Sequence, residues 1–382
     1  MSATGAIASR LGSRRAADRY IVWIVLILSA VGVVAVYSAI SFLAETKSAG
    51  DTERFLVKHL TRLGFALAAM VVFSLIDYHK LARFGKAGLL VSIILLAAVQ
   101  VVGVASGGAT RWLRLGSFGF QPSDLAKVAL ILYTGLMLTK KQAYIKSFTR
   151  AFMPILFWIG LTCILIGTED LSTAALVLVS ALLMCFVARA SVLHLGSLAV
   201  VSTLLAIIVL MGSPGRAARV ESYIGVKIFS NTEAEDVFDE QGEGYQAQQA
   251  RIAFAMGGLT GMGPGKSIQR DFLPAPYNDF IFAIIAEEYG LVGALAILVL
   301  FVILLFRGFL RIARHAPDPL GFFLGVGFTT MVVLYAFIHA AVSCALLPVT
   351  GLPMPFVSYG GTSMVATGVM IGILLNVSRQ SG

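Results

Sequence analysis

Charge is what this chain has least of. Only 13% of its 382 residues are Asp, Glu, Lys or Arg, about half the share found in soluble domains. Cysteine is also scarce. Cys163, Cys185 and Cys344 all fall inside apolar runs, which makes them packing residues rather than disulfide partners or metal ligands. The five histidines are scattered, so no His/Cys metal constellation is written into the chain. No GxxxxGK[ST] phosphate loop and no SxxK serine motif is present. A cleavable signal is not expected either, because the first apolar run, 20–43, is too long for a signal core and lacks a small-residue cleavage site.

In place of charge there is hydrophobicity: 58% of residues are apolar and the mean hydropathy is +0.88. In water such a chain would expose aggregating patches; in lipid the composition is reasonable. A membrane helix needs about 20 apolar residues. Runs at 20–43, 60–76, 87–104, 125–138, 152–167, 171–188, 192–211, 280–306, 320–347 and 361–377 predict ten transmembrane helices in an all-α polytopic protein. The expected organisation is a cytoplasmic tail at 1–19, one transmembrane domain at 20–378 with an extracytoplasmic loop at 212–279, and a cytoplasmic tail at 379–382.

Orientation follows from the basic residues. With the N-terminus inside, the inner segments hold Arg10, Arg14, Arg15, Arg19, Lys80, Arg83, Lys86, Lys140, Lys141, Lys146, Arg150, Arg189, Arg307, Arg311, Arg314 and Arg379, against only Asp18, Asp77 and Asp318. The remainder of the chain is acidic on balance. A basic rim beside anionic lipid accounts for the pI near 9.6 without any nucleic-acid partner. The inner side therefore reads as basic anchors and short turns.

The outer side is where polar residues gather. Between the third and fourth runs stands GGATRWLRLGSFGFQPSDLAK, with Arg111, Arg114, Asp124 and Lys127; Asp124 and Lys127 share a helix face and suit either a local ion pair or a site. Glu169 and Asp170 form an acidic turn before the sixth run, where Asp170 is also placed to cap a helix. The long loop begins with an acidic stretch at 231–244, read as a solvated excursion. YQAQQARIAFAM follows, an amphipathic helix with Gln246, Gln249 and Arg251 beside an apolar face, suited to the interface or to re-entry. GGLTGMGPGKSIQRDFLP then places Lys266 and Arg270 among glycines whose N–H groups are free to meet an anion, although most such segments are plain turns.

Asp279 stands at the head of the eighth run, where a carboxylate is either a cap or a reactive group. Glu287 and Glu288 lie two turns further on, and ionisable groups at that depth need a partner or a watery cavity. Before the last run, Pro348, Pro353 and Pro355 break the helix. Ser358, Tyr359, Gly360, Gly361, Thr362 and Ser363 form a polar hinge, tolerable there when it lines a cavity.

Together these motifs (ATRWLRLGSFGFQPSDLAK, TEDLSTA, YQAQQARIAFAMGGLTGMGPGKS, NDFIFAIIAEEYGLVG and LPVTGLPMPFVSYGGTS) resemble the SEDS family, named for shape, elongation, division and sporulation, over residues 20–378. Its members are integral-membrane peptidoglycan glycosyltransferases. The resemblance implies a ten-helix fold in the bacterial cytoplasmic (inner) membrane that polymerises lipid II on the outer face. It also implies a class B penicillin-binding protein as transpeptidase partner, together with other divisome or elongasome membrane proteins. The family's required aspartate falls on Asp279, its QPS-acid-xxK acid and lysine on Asp124 and Lys127, and its acidic turn on Asp170. Ala275, Tyr277 and Asn278 depart from the Glu, His and Thr that often precede the aspartate. The PxPYxD form and the short N-terminal tail are similar to division-type members; an elongation-type polymerase and a lipid II flippase are the alternatives.

The chemistry expected is removal of the acceptor hydroxyl proton by Asp279 as general base. Positive charge from Lys127, Arg111, Lys266 and Arg270 is expected at the pyrophosphate leaving group. Gln246, Ser358, Gly360, Gly361 and Ser363 are further substrate-binding candidates. A divalent cation, Mg or Mn, held by Asp279 is the alternative device, with no organic cofactor.

Overall fold

The computed structural model describes residues 17–47, 52–106, 109–115, 118–212, 217, 221 and 243–381. The acidic stretch at 231–244 lies almost wholly outside them.

Among these residues the chain forms eight helices long and apolar enough to cross a membrane, and two more complete the ten expected. In chain order they are α1 (Arg19–Lys47), α2 (Thr52–Leu75), α3 (Tyr78–Val102), α4 (Pro122–Lys141), α5 (Met153–Gly167), α6 (Leu171–Val187) and α7 (Val192–Met211). An extra helix, α8 (Glu243–Gly257), precedes the last three spans, α9 (Ile281–Phe306), α10 (Pro319–Ser343) and α11 (Thr362–Gln380). α4 carries too many charges to read as a simple span, and α6 is short. Both are buried in the bundle, so protein rather than lipid surrounds much of them.

One outer segment is not helical. Residues 104–120 form a three-stranded antiparallel meander, β1 (Val104–Ser106), β2 (Ala109–Leu115) and β3 (Phe118–Phe120), with Val104 opposite Trp112 and Leu113 opposite Phe120. The run TRWLRL is rich in residues that favour strands, and it lies beyond the membrane-spanning helices, where helix is not compulsory.

α10 is the axis of the bundle, with Phe323, Phe328, Met331 and Ala336 buried at its centre. α11 lies against α2 in unusually close contact. A Cβ on Gly368 would stand 2.1 Å from the Ala66 carbonyl oxygen, and one on Gly372 2.6 Å from that of Met70. Lipid tails are as apolar as leucine, so helices associate in a bilayer through such close packing rather than through the hydrophobic effect.

The inner end is richer than basic anchors and short turns. Asp18 pairs with Arg307 at 2.5 Å, and its N–H donates to Ser378. Tyr78 donates its hydroxyl to Asp318 at 2.6 Å, His79 bridges Asp77 and Asp318, and Asn376 joins Tyr78 to the Ser74 carbonyl. These residues are remote in sequence, so the network that ties both ends of the chain together is visible only in the fold. Burial pushes the Asp318 carboxyl up, but bonds from Tyr78, the Gly321 N–H and His79 outweigh it and hold it below the usual carboxylate range.

Two tests follow from this packing. Gly368→Leu is expected to cost about 3 kcal/mol or prevent assembly, read as a lowered Tm and yield in detergent. Asp318 has a depressed folded-state pKa, so its contribution is present above the unfolded value of 3.8 and is lost as pH falls through the folded one. Asp318→Asn should therefore lower stability by about 2 kcal/mol at pH 7, with the gap to the unsubstituted protein closing below pH 3.8.

Candidate active site

A cavity of about 670 Å³ opens at the outer end of the bundle, within the size range of small-molecule sites. Its walls come from α2 (Lys58, Thr61, Arg62), the meander (Trp112, Gly119), α4 (Asp124), α6 (Asp170, Thr173), the turn before α9 (Tyr277, Asn278), α10 (Tyr335) and the segment 359–363. Motifs scattered over some three hundred residues of sequence thus meet in one place.

On α4 the i, i+3 spacing of Asp124 and Lys127 produces an ion pair of 2.7 Å. Lys127 is 1% exposed and its ammonium lies 4.6 Å from the centre of the Tyr335 ring. Asp124 also accepts from the Thr362 hydroxyl at 2.5 Å, which ties α4 to the start of α11. Asp170 caps α6, accepting from the Thr173 N–H at 2.9 Å and from its hydroxyl at 2.8 Å.

The turn carrying Asp279 is built by its own backbone, with the N–H groups of Asn278 and Asp279 both donating to the Ala275 carbonyl at 3.2 Å. The hinge between α10 and α11 then grips it. Ser358 donates its hydroxyl to the Asn278 carbonyl at 2.9 Å, and the Tyr359 N–H donates to the Tyr277 carbonyl at 2.9 Å. The N-cap of α9 is Phe280, with no side-chain capping bond. Capping therefore does not explain Asp279, whose half-buried carboxylate accepts from the Asn278 side chain at 2.9 Å. Burial, then the neighbouring Tyr359 and the Asp279 carboxylate, push the Tyr277 phenol above its ordinary pKa and keep it a hydrogen-bond donor.

The glycine-rich loop is held elsewhere. Glu287, fully buried, accepts from the Ser267 hydroxyl at 2.5 Å and from the N–H groups of Ile268 and Gln269 at 3.0 and 3.2 Å. Ser38 donates to Glu288. α9 breaks at Gly290, where φ is +68°, and the loop enters the break: the Leu291 N–H donates to the Gly258 carbonyl at 2.9 Å. Gly261, at φ +83°, sits so close that a Cβ would lie 2.2 Å from the Glu288 carbonyl oxygen. These two glycines permit backbone-to-backbone packing. The two glutamates serve as anchors for that loop. α8 packs beneath through Ala250 and Ala253, against Phe280, Ala283 and Ile284.

The candidates named from sequence thus divide. Asp124, Asp170, Gly360, Gly361 and Ser363 line the cavity; Lys127 and Ser358 lie buried behind its wall; Asp279 does not itself line it but is next in sequence to the lining residue Asn278. Gln246, Lys266 and Arg270 do not line it. Arg270 donates to the carbonyls of Ser38 and Gly265, and Lys266 is exposed on the loop. The side chain of Arg111 is outside the described residues. Sequence reasoning missed Lys58, Thr61 and Arg62: Lys58 precedes the apolar run at 60–76, and Thr61 and Arg62 lie inside that run, where they read as part of a span. The available signal was their i, i+3 and i+4 spacing on one face. His59 was missed too: it is buried, stacked on Tyr359 with ring centres 5.6 Å apart, and neither ring nitrogen has a hydrogen-bond partner.

Beside the cavity lies an apolar slot of about 380 Å³ between α2, α3, α4 and α11, lined by residues such as Phe73, Phe84, Val128 and Val369 and sharing Asp124, Thr362 and Val365 with the cavity. Phe84, one of its lining residues, is 69% exposed.

Among the described residues, a bundle of membrane-spanning helices with a cavity that holds charged side chains and an apolar slot beside it defines a polytopic membrane protein with a built site. The chain belongs to the FtsW/RodA/SpoVE family of cell cycle proteins, whose pattern matches residues 18–382. It is 36% identical over 368 residues to stage V sporulation protein E of Bacillus subtilis, covering 95% of this chain and 97% of that protein. It is also 36% identical over 367 residues to the probable peptidoglycan glycosyltransferase FtsW of Geobacter metallireducens, covering 95% of each. Among solved structures it resembles a chain of a peptidoglycan synthase complex that coordinates polymerisation and crosslinking, with a TM-score of 0.74, 26% identity and coverage of 95% and 98%. The rod shape determining protein RodA of Thermus thermophilus gives 0.68, 26%, and 96% and 98%.

The buried pair makes its own prediction. Lys127→Met alone is expected to cost about 3–5 kcal/mol by leaving Asp124 uncompensated, and Lys127→Met with Asp124→Leu to recover most of that loss. Thermal unfolding of the three purified proteins in detergent checks it.

Proposed function

We propose that this protein is a peptidoglycan glycosyltransferase that polymerises lipid II on the outer face of the bacterial cytoplasmic (inner) membrane, in septal cell-wall synthesis. The observation that carries the reading is the union of the polar cavity and the apolar slot through Asp124, Thr362 and Val365. A lipid-linked sugar needs a polar chamber for its head and a lipid-facing groove for its tail, side by side at the membrane surface. The relatives named as peptidoglycan glycosyltransferases support the same activity, and the septal assignment rests on their FtsW type.

In this reading Asp279 is the general base that takes the acceptor hydroxyl proton as that oxygen attacks the donor's anomeric carbon. The lipid diphosphate leaves and the anomeric centre inverts. The Ser358 and Tyr359 bonds position the turn, and pre-positioning of the base is what a tight backbone turn supplies. If a Mg or Mn ion takes part, Asp279 is the side chain that would hold it. No three His, Cys, Asp or Glu converge among the described residues, so the ion would draw its other ligands from phosphate and water. Such an ion would supply charge stabilisation of the leaving group.

The crosslinking partner in this reading is a class B penicillin-binding protein, since the chain lacks a serine acyl-transfer motif and its structural relative belongs to a synthase complex. Transport is disfavoured by the inner end, where the Asp18–Arg307 and Tyr78–Asp318–His79 contacts tie the helix ends together.

The experiment is polymerisation of labelled lipid II by purified protein, alone and with its transpeptidase. Glycan ladders are expected from the unsubstituted chain, with Asp279→Asn lowering the rate by about 10²-fold or more. Undiminished ladders from Asp279→Asn would remove the base assignment; no ladders under any condition would remove the activity.

A further inference from the structure

The expected sources of positive charge for the leaving group are mostly committed elsewhere. Lys127 is paired with Asp124, and Arg270 is bound to the carbonyls of Ser38 and Gly265. Lys266 stands on the loop and does not line the cavity. Among the described residues, the basic side chains that line it are Lys58 and Arg62, one helical turn apart on α2.

Neither has a carboxylate partner among the described residues. Lys58 rests 5.8 Å from the centre of the Phe55 ring, and the Arg62 guanidinium lies 4.6 Å from that of Tyr359. Contact with a ring occupies the guanidinium face and leaves its in-plane N–H donors for other partners. The carboxylates in the same walls already have partners: Asp124 has Lys127 and Thr362, and Asp170 has both groups of Thr173. The result is a chamber with two cations that have no carboxylate partner among the described residues, joined to the Tyr277–Asn278 turn through Tyr359 and beside the apolar slot.

We propose that Lys58 and Arg62 form an anion clamp that holds the diphosphate of a lipid-linked glycan. This rests on the glycosyltransferase reading for its ligand. Arg62 offers a planar fork that matches phosphate oxygens pairwise, while Lys58 adds a mobile point charge. When the bond from the anomeric carbon to the diphosphate oxygen breaks, its electron pair stays on that oxygen, and the clamp stabilises the added charge. Because Arg62 stacks on Tyr359, whose N–H holds the Tyr277 carbonyl, the clamp and the turn carrying Asp279 share one support.

The test is binding, so it does not require turnover. Full-length protein in detergent is titrated with inorganic pyrophosphate and, separately, with undecaprenyl diphosphate, using Lys58→Gln/Arg62→Gln, Arg62→Lys and the inner-rim control Lys140→Gln. The unsubstituted chain and the control should bind undecaprenyl diphosphate alike, more weakly as salt rises. The double variant should bind at least tenfold more weakly at unchanged Tm, with Arg62→Lys in between. Loss of pyrophosphate binding in parallel would show that the clamp reads the diphosphate itself; binding of the lipid form alone would show that it reads a headgroup anchored by its tail. Equal affinity in the double variant and the unsubstituted chain, or no binding of either ligand to the unsubstituted chain, would overturn the clamp. Tight, clamp-dependent binding by a protein that makes no glycan would overturn the polymerase reading and leave the clamp standing.

Discussion

Asp124 and Lys127 face each other one helical turn apart where solvent does not reach, and the outer half of the bundle is arranged around that fact. A charge buried without a partner is strongly destabilising, so each member fixes the other. The second oxygen of Asp124 then reaches across to Thr362 at the first turn of α11. One carboxylate joins two helices and forms the partition between a polar chamber and an apolar slot. The pair also decides what Lys127 does: a cation neutralised in place shapes a wall, and among the described residues the other basic side chains lining the cavity are on α2.

The same economy governs the loop between α8 and α9. Two glutamates in an apolar helix look like reactive groups from sequence. In the fold Glu287 collects a hydroxyl and two N–H groups and Glu288 takes Ser38, so they serve as anchors for irregular backbone at membrane depth. Asp279, a few residues earlier, is different in kind. It does not cap its helix, and its turn is held from outside by Ser358 and Tyr359.

How much of this was legible beforehand follows from which interactions are local. The ten spans and the break at Pro348–Pro355 are properties of single stretches, and hydropathy and the prolines read them. So is the i, i+3 pairing on α4. The start of α2 was not legible, because eight polar-flecked residues before Leu60 are helical only by extension from the apolar part, and Lys58 went with them, while Arg62 lay inside the apolar run and read as part of the span. The meander at 104–120 fell between the third and fourth runs and read only as a polar connection, because β1 and β3, of three residues each, are too short to show a strand period. The inner network joins Asp18, Asp77, Asp318 and Asn376 across almost the whole chain, and no window of sequence contains it.

The slot between α2, α3, α4 and α11 opens sideways rather than toward water. For the lipid-linked ligand proposed above, its reservoir would be the surrounding leaflet, and the cavity would fill from a two-dimensional solution. Occupancy then follows the mole fraction of the amphiphile among its neighbouring lipids, and diluting the aqueous phase changes nothing. Turnover in such a protein scales with membrane composition and lateral diffusion, and a change in lipid fluidity acts on it as directly as a change in substrate supply.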